Sequence, residues 1–220
     1  MPFIPLPKNF TDLCTSGQFE PSRSVELGCG DGRFLNILRD SGFTVWGLDR
    51  IPPAGGSAAD IVADALSPPL AAGSLDLVVA SNLVRHLAVR HEGLPFLDTW
   101  LGLLQPGGSL YIFEDEPGDS PAGTANFRDL HAFLARLMPV TRGPLLPLDK
   151  FRAAVDRSAC PACWDYGRVK NEYQLDAGAA MRMLRGQGAT PQGEASRLIR
   201  AIGRRGLDAG WYWWARAIRP

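Results

Sequence analysis

Residues 25–34 read VELGCGDGRF, and this stretch decides the fold. An apolar run broken by one acid, Glu26, leads into Gly28, Cys29, Gly30, Asp31 and Gly32; Phe34, Leu35, Ile37 and Leu38 then recur at helical spacing. A glycine turn between a strand and a helix bares the backbone to close approach. It also aims the unpaired N–H groups of the helix start at an anionic group. The dinucleotide fingerprint spaces its glycines G-x-G-x-x-G, but here the third comes one residue early. A pyrophosphate is poorly served by the carboxylate of Glu26, two residues before the first glycine. A zwitterionic amino acid gains from both features, its carboxylate turned to the N–H groups and its ammonium to the acid and to carbonyls.

Outward from this turn, strands and helices alternate. Residues 24–27 form a strand and 33–42 a helix; FTVWGLD, 43–49, is a second strand ending in Asp49. A Pro/Gly/Ala loop over 52–59 precedes a short third strand, ADIVADA, which ends near Asp64. SLDLVVAS, 74–81, is a continuous buried strand. NLVRHLAVRH begins a helical turn, LPFLDTWLGLLQ is a helix stopped by PGG, and SLYIFED, 109–115, is the fifth strand. Continuous apolar strands alternating with helices mean a parallel sheet covered on both faces.

The second half reads differently. TANFRDLHAFLARLMP is an amphipathic helix, LDKFRAAV a short one, and WDYGRVKNEYQL, 164–175, strand-like. Two Ala/Arg-rich helical pieces follow near 178–185 and 192–204. GWYWWARAI is apolar on both faces, so it belongs inside a sheet and not at its edge.

A chain of 220 residues with 45% hydrophobic content suits one soluble domain. The reading is a single domain over 1–220, with an N-terminal cap segment at 1–23, a first half at 24–115, and a second half at 116–220 carrying a helical insertion at about 178–205. No 18-residue apolar run suggests a membrane span, and MPFIPLPKNF lacks the basic and apolar regions of a signal peptide. Four cysteines are too few for a disulfide scaffold, so a cytoplasmic location is expected. Net charge is zero, but residues 1–120 hold 7 Lys/Arg against 15 Asp/Glu, and residues 121–220 hold 16 against 8. Either the two halves attract within one fold, or the basic half meets an acidic partner or acceptor.

Taken together, VELGCGDG (25–32), GLD (47–49), ADAL (63–66), SLDLVVASNLVRHL (74–87) and LLQPGG (103–108) resemble the class I S-adenosylmethionine-dependent methyltransferases of the small-molecule type. The resemblance spans residues 24 to about 115. It implies an α/β, doubly wound, seven-stranded, mostly parallel sheet with a final antiparallel strand, a place that GWYWWARAI suits. It also implies that S-adenosyl-L-methionine is the cofactor. Glu26, Gly28, Cys29 and Gly30 would hold its methionine end, Asp49 its ribose, and Asp64 with Ala65 its adenine. Ser81 would offer a carbonyl to its amino group. Arg50 stands where the family often packs an apolar residue on the adenine, and a guanidinium can stack there instead. On this reading Gly28→Val abolishes cofactor binding and leaves folding intact.

The acceptor is less legible. Transfer from a sulfonium needs a general base only if the acceptor carries a proton. His86, five residues after Ser81, is the candidate base; the alternative for it is a structural role. Glu114 and Asp115 end strand five near the same rim, whereas His131 is expected to be packed and His91 at the surface. Exocyclic amino groups of DNA and glutamine amides are methylated by way of an Asn/Asp-Pro-Pro-aromatic turn, and this chain has SNLV; cytosine C5 chemistry needs a Pro-Cys there, and none is present. What remains is a small metabolite, a lipid head group, a peptide or a nucleic acid handled otherwise; of these a small molecule is expected and a nucleic acid is not. The acceptor would be anionic if Arg182, Arg185, Arg197, Arg200, Arg204 and Arg205 face it. Cys160 and Cys163, in CPACW, supply only two ligands where a structural zinc needs four, so no metal is expected. Two other readings stand: a weakly catalytic or non-catalytic cofactor-binding partner of another protein, and a nicotinamide-dependent oxidoreductase, which the glycine spacing and Asp64 disfavour.

Overall fold

A computed structural model describes residue 10 and residues 23–52, 56–91, 93–116, 122–137, 143–158, 162–170, 174–175, 177–186, 192–208 and 210–220. Its elements are β1 (Ser24–Leu27), α1 (Arg33–Asp40), β2 (Val45–Asp49), β3 (Ile61–Val62), β4 (Leu75–Ser81), α2 (Val84–Ala88), α3 (Phe96–Leu103) and β5 (Leu104–Glu116). The second half contributes α4 (Ala122–Leu137), α5 (Leu148–Asp156), β6 (Cys163–Lys170), β7 (Gln174–Leu175), α6 (Ala177–Gly186), α7 (Gly193–Arg205), β8 (Leu207–Asp208) and β9 (Trp211–Ile218).

The main sheet has seven strands in the order β3-β2-β1-β4-β5-β9-β6, and β9 runs antiparallel between β5 and β6. The apolar pattern of GWYWWARAI explains that position. Trp213, Ala215 and Ala217 enter one core, while Tyr212 enters the core on the opposite face. The neighbouring strands obey the same two-residue alternation: Val78, Ala80, Leu110 and Ile112 pack with Trp213, and Leu77, Val79, Tyr111 and Phe113 with Tyr212. Each fully buried large apolar side chain contributes about 1.5–3 kcal/mol.

Helices α3 and α5 cover the first face, and α1 the second. Phe10, the one described residue of the 1–22 stretch, is fully buried on the second face, against Phe43, Tyr111 and Phe113 at centroid distances of 5.2, 4.7 and 5.4 Å. A third, separate core joins α4, α6, α7 and β8 through Phe127, Leu130, Leu134, Leu184, Ile202 and Leu207. The two fully buried indoles are satisfied: Trp100 Nε1–H donates to Ala65 O at 2.8 Å and Trp213 Nε1–H to Leu146 O at 2.7 Å.

Three elements depart from the sequence reading. The third strand keeps only Ile61 and Val62 paired with β2, because Asp64 folds into a turn, its Oδ1 accepting the N–H of Leu66 at 2.9 Å. The fifth strand is longer, since Leu104 already pairs with Leu75, and a register shift accommodates PGG before Ser109 pairs with Leu77. The 164–175 strand divides: 163–170 pairs with β9, while 174–175 pairs with β8 in a separate two-stranded sheet.

Candidate functional site

The carboxyl ends of β1, β2, β4 and β5 meet at the glycine turn. Gly28 and Cys29 donate their N–H groups to Leu48 O at 2.7 and 3.1 Å, which ties the turn to β2. Gly28, Gly30 and Gly32 all have positive φ, at 67°, 52° and 79°. They serve different purposes. A Cβ on Gly28 would lie 2.8 Å from Leu83 Cδ1, and one on Gly32 would lie 2.4 Å from Ala58 Cβ, so both permit packing within the chain. A Cβ on Gly30 would meet no heavy atom of the described residues within 4 Å, so among these residues the glycine faces open space.

Asp49 closes the turn from β2. Its Oδ2 accepts the Gly30 N–H and its Oδ1 the Ile51 N–H, both at 2.9 Å. The carboxylate retains further lone-pair sites for a ligand's hydroxyls. Arg50 beside it is exposed. Asp64 is exposed at its turn, and Ala65 is buried with its carbonyl held by Trp100.

Glu26 sits under the turn at 1% exposure, and among the described residues its Oε2 has no hydrogen-bond partner. Burial raises its pKa well above the usual carboxylate range, against an opposing pull from Arg39. A buried acid oxygen without a donor is costly, so it marks a place where a partner belongs. The neighbouring Cys29 thiol is a core group: burial pushes it up to about 12, which leaves only the backbone of Cys29 to meet a ligand.

Ser81 ends β4, half-buried, with Oγ 3.0 Å from the hydroxyl of Tyr212. His86 follows in α2, where its Nδ1 accepts the N–H of Gly143 at 2.9 Å. That bond occupies the acceptor nitrogen of the imidazole, so His86 pins the 143–147 segment against α2. His131 is buried beside Phe127, 4.4 Å between ring centroids, in line with packing.

On the other side of β5, Glu114 is fully buried; its Oε1 accepts the Arg85 backbone N–H at 3.1 Å, and Arg85 Nε lies 3.6 Å from Oε2. Burial, partly offset by Arg85, pushes the Glu114 carboxyl up to about 7. Arg85 Nη1 also lies 3.8 Å from Asp115 Oδ2. Asn82, at φ 53°, turns the chain out of β4 and accepts the Asp115 N–H through Oδ1 at 3.3 Å. Sequence reading passed over Tyr212, Arg85, Asn82 and Gly47. Only Gly47 left a trace, a glycine inside a strand; a Cβ there would lie 2.7 Å from Leu35 Cδ2 and 2.9 Å from Cys29 Sγ.

The six arginines of α6 and α7 are exposed. Arg197, Arg200 and Arg204 form a stripe opposite buried Ala195, Leu198 and Ile202. Glu194, the acid of α7, is engaged by Arg136 of α4 at 2.5 Å, across a groove of about 400 Å³. Cys160 lies outside the described residues and Cys163 is exposed; among the described residues no three His, Cys, Asp or Glu side chains group to hold a metal. Among the same residues no helix is long and apolar enough to cross a membrane.

A 3-2-1-4-5 parallel sheet extended by an inserted antiparallel strand, with a glycine turn after β1 and an acid ending β2, defines a Rossmann-like methyltransferase fold. Residues 25–112 match a family model described as a methyltransferase domain, so this stretch is similar to methyltransferases. The mouse tRNA (carboxymethyluridine(34)-5-O)-methyltransferase ALKBH8 is 30% identical over 100 residues, which is 42% of this chain and 15% of that protein. The chain thus spans about 15% of the length of the curated relatives it matches. The YcgJ protein of Bacillus subtilis shares the fold at a TM-score of 0.64 and 12% identity, over 96% of this chain and 98% of its own. Phosphoethanolamine N-methyltransferase 2 of Haemonchus contortus, in a complex with phosphomonomethylethanolamine and S-adenosylhomocysteine, shares it at 0.55 and 13%, over 97% and 53%.

Proposed function

We propose that the protein transfers a methyl group from S-adenosylmethionine to a small-molecule acceptor that carries an anionic group. The observation that carries this reading is the unpartnered Oε2 of buried Glu26 beneath the open side of Gly30, next to Asp49. That arrangement fits the cofactor. The acid matches an ammonium, the bare turn admits an amino-acid end, and Asp49 has lone pairs left for ribose hydroxyls. Glu26, Gly28, Cys29 and Gly30 would hold the methionine end, the last three through their backbone. Asp49 would hold the ribose, Arg50, Asp64 and Ala65 the adenine, and Ser81, through its carbonyl, the amino group. When bound, the cofactor supplies an activated methyl on a good leaving group, so the chain's task is alignment and exclusion of water.

The acceptor follows from what the side chains are already doing. His86 Nδ1 is held by Gly143, and Glu114 is buried against Arg85. An acceptor that attacks with an unprotonated lone pair, such as an ionised carboxylate, suits that rim because it needs no base. The curated relative, named for a carboxymethyluridine in tRNA, supports an anionic acceptor and favours a second reading in which that group is part of an RNA. The exposed arginines of α6 and α7 are compatible with either form.

Calorimetry with S-adenosylhomocysteine tests the core of the proposal. Wild type should bind, and Glu26→Gln should bind at least about tenfold more weakly, about 1.4 kcal/mol, while melting no lower than wild type. Burial already favours the neutral carboxyl, so the amide costs the unliganded fold little and removes only the negative charge that the ligand's ammonium needs. Equal affinity in the two proteins would take Glu26 out of the site.

A further inference from the structure

Tyr212 lies 131 positions from Ser81 in sequence, yet the insertion of β9 sets their hydroxyls 3.0 Å apart. The register fixes this placement. Ser81 pairs with Phe113 of β5, and Asp115, two residues on, pairs with Tyr212 of β9. Glu26 of β1 pairs with Val79 of β4, so Ser81 stands two residues, roughly 6.5 Å, further along the same face. Glu26, Ser81 and Tyr212 thus project from one side of the sheet at its carboxyl end.

Tyr212 is 1% exposed and its ring stacks on Phe113, 5.8 Å between centroids and 9° apart. Burial, with Asp115, Glu114 and Glu26 nearby, keeps the phenol neutral. Two neutral hydroxyls joined by one hydrogen bond use one proton between them and keep the other. If Tyr212 donates, the Ser81 proton is left to point outward; if Ser81 donates, the phenol proton is. Either way the pair presents one donor, and Glu26, two positions back along the face, presents an Oε2 that no described group engages and that an ammonium would hold ionised against its burial. A donor and an acceptor side by side match the carboxylate and ammonium of an α-amino acid.

We propose that the Ser81–Tyr212 hydroxyl pair is the donor half of an amino-acid-binding site whose acceptor half is Glu26, with Tyr212 a positioning residue that fixes the Ser81 hydroxyl. The proposal rests on the cofactor reading above and adds a residue from the last strand, outside the 25–112 match. His86, anchored to Gly143, has no part in it.

The test compares two ligands: S-adenosylhomocysteine, which has the amino-acid end, and methylthioadenosine, which lacks it. Tyr212→Phe keeps the stacked ring and removes the hydroxyl. It should weaken S-adenosylhomocysteine about fivefold to tenfold and leave methylthioadenosine within about twofold. Ser81→Ala should show the same selectivity, and the double variant should be no weaker than the weaker single one, because the pair acts as a unit. Should Tyr212→Phe fail to fold, the selectivity of Ser81→Ala alone decides. Equal weakening of both ligands makes Tyr212 a packing residue and overturns the proposal, as do single effects that multiply in the double variant. Wild type binding neither ligand removes the cofactor reading itself, a result distinct from both.

Discussion

Asp49 Oδ2 and the Gly30 N–H are joined at 2.9 Å, so the acid that ends β2 also shapes the glycine turn after β1. Its other oxygen holds Ile51 at the same distance. The carboxylate therefore stands between two backbone segments that a nucleoside ligand would touch.

Asp49→Ala should consequently cost more than ligand contacts. It removes the acceptor for the ribose hydroxyls, worth about 1.5–3 kcal/mol for bonds to a charged group. It also leaves the Gly30 and Ile51 N–H groups unpaired. Calorimetry should show S-adenosylhomocysteine binding lost, and a thermal melt should show a lowered Tm. Unchanged affinity would assign Asp49 to the turn alone.

Gly30 and Gly28 separate ligand from scaffold. Gly30→Ala places its Cβ where no atom of the described residues lies within 4 Å, so the left-handed backbone cost, about 1–2 kcal/mol, is the main one. The protein should fold with a modestly lower Tm and bind S-adenosylhomocysteine far more weakly. Gly28→Val, by contrast, drives a side chain into Leu83 from a starting gap of 2.8 Å and strains a φ of 67°. It should destabilise the fold itself, which corrects the expectation that this substitution spares folding. A Gly30→Ala variant that folds and binds normally would put the ligand elsewhere.

Glu114 makes stability fall as pH rises. Its carboxyl is moved from an ordinary 4.5 to about 7, chiefly by burial. Between those values the folded chain holds a proton that the unfolded chain has released, so raising the pH favours unfolding. The effect begins above about pH 4.5 and is complete above about pH 7, and the gap corresponds to at most about 3 kcal/mol. Burial moves Glu26 the same way, so the comparison with Glu114→Gln isolates the one group. Denaturant melts from pH 5 to 8 should show wild type losing stability relative to Glu114→Gln. Parallel curves would mean that Arg85 holds Glu114 ionised throughout.

The legible parts of this chain were those set by local chemistry. Glycine spacing located the turn, and Asp49 ends β2 as read, whereas Asp64 lies past β3 in a turn. Two apolar faces placed GWYWWARAI inside the sheet, where β9 lies between β5 and β6. What depended on register stayed hidden. Tyr212 read as one aromatic in an apolar strand, and only its pairing with Asp115 brings it to Ser81. Arg85 drew no reading from the sequence, yet it is 5% exposed against Glu114, a contact between residues 29 apart in the chain. His86 reads as a candidate base with a structural role as its alternative, and its bond to the Gly143 backbone stayed hidden because that partner has no side chain to signal it. ADIVADA looked like a full strand because its apolar pattern carried no sign that Asp64 would cap a turn.

The arginines of α6 and α7 should govern the acceptor and leave the cofactor alone. The third core holds these helices on α4, and the glycine turn packs with α1 and β2. Arg197, Arg200 and Arg204 project from one stripe of α7, and Arg182 and Arg185, three residues apart, are exposed on α6. Glu194 is already engaged by Arg136. Guanidinium forks in such rows match carboxylates and phosphates. Replacing Arg182, Arg185, Arg197 and Arg200 with glutamine should keep S-adenosylhomocysteine affinity within about twofold, a few tenths of a kcal/mol. Methylation of the acceptor in a cell extract should fall at least about tenfold, about 1.4 kcal/mol of transition-state binding. The salt dependence then sorts the two acceptor readings. An RNA acceptor makes wild-type binding fall steeply with salt, and each lost phosphate contact flattens that slope by about 0.7–0.9. A small anion gives a shallow slope in both proteins. If the fourfold variant methylates its acceptor as well as wild type, these arginines are a solvated surface and the acceptor approaches from another side.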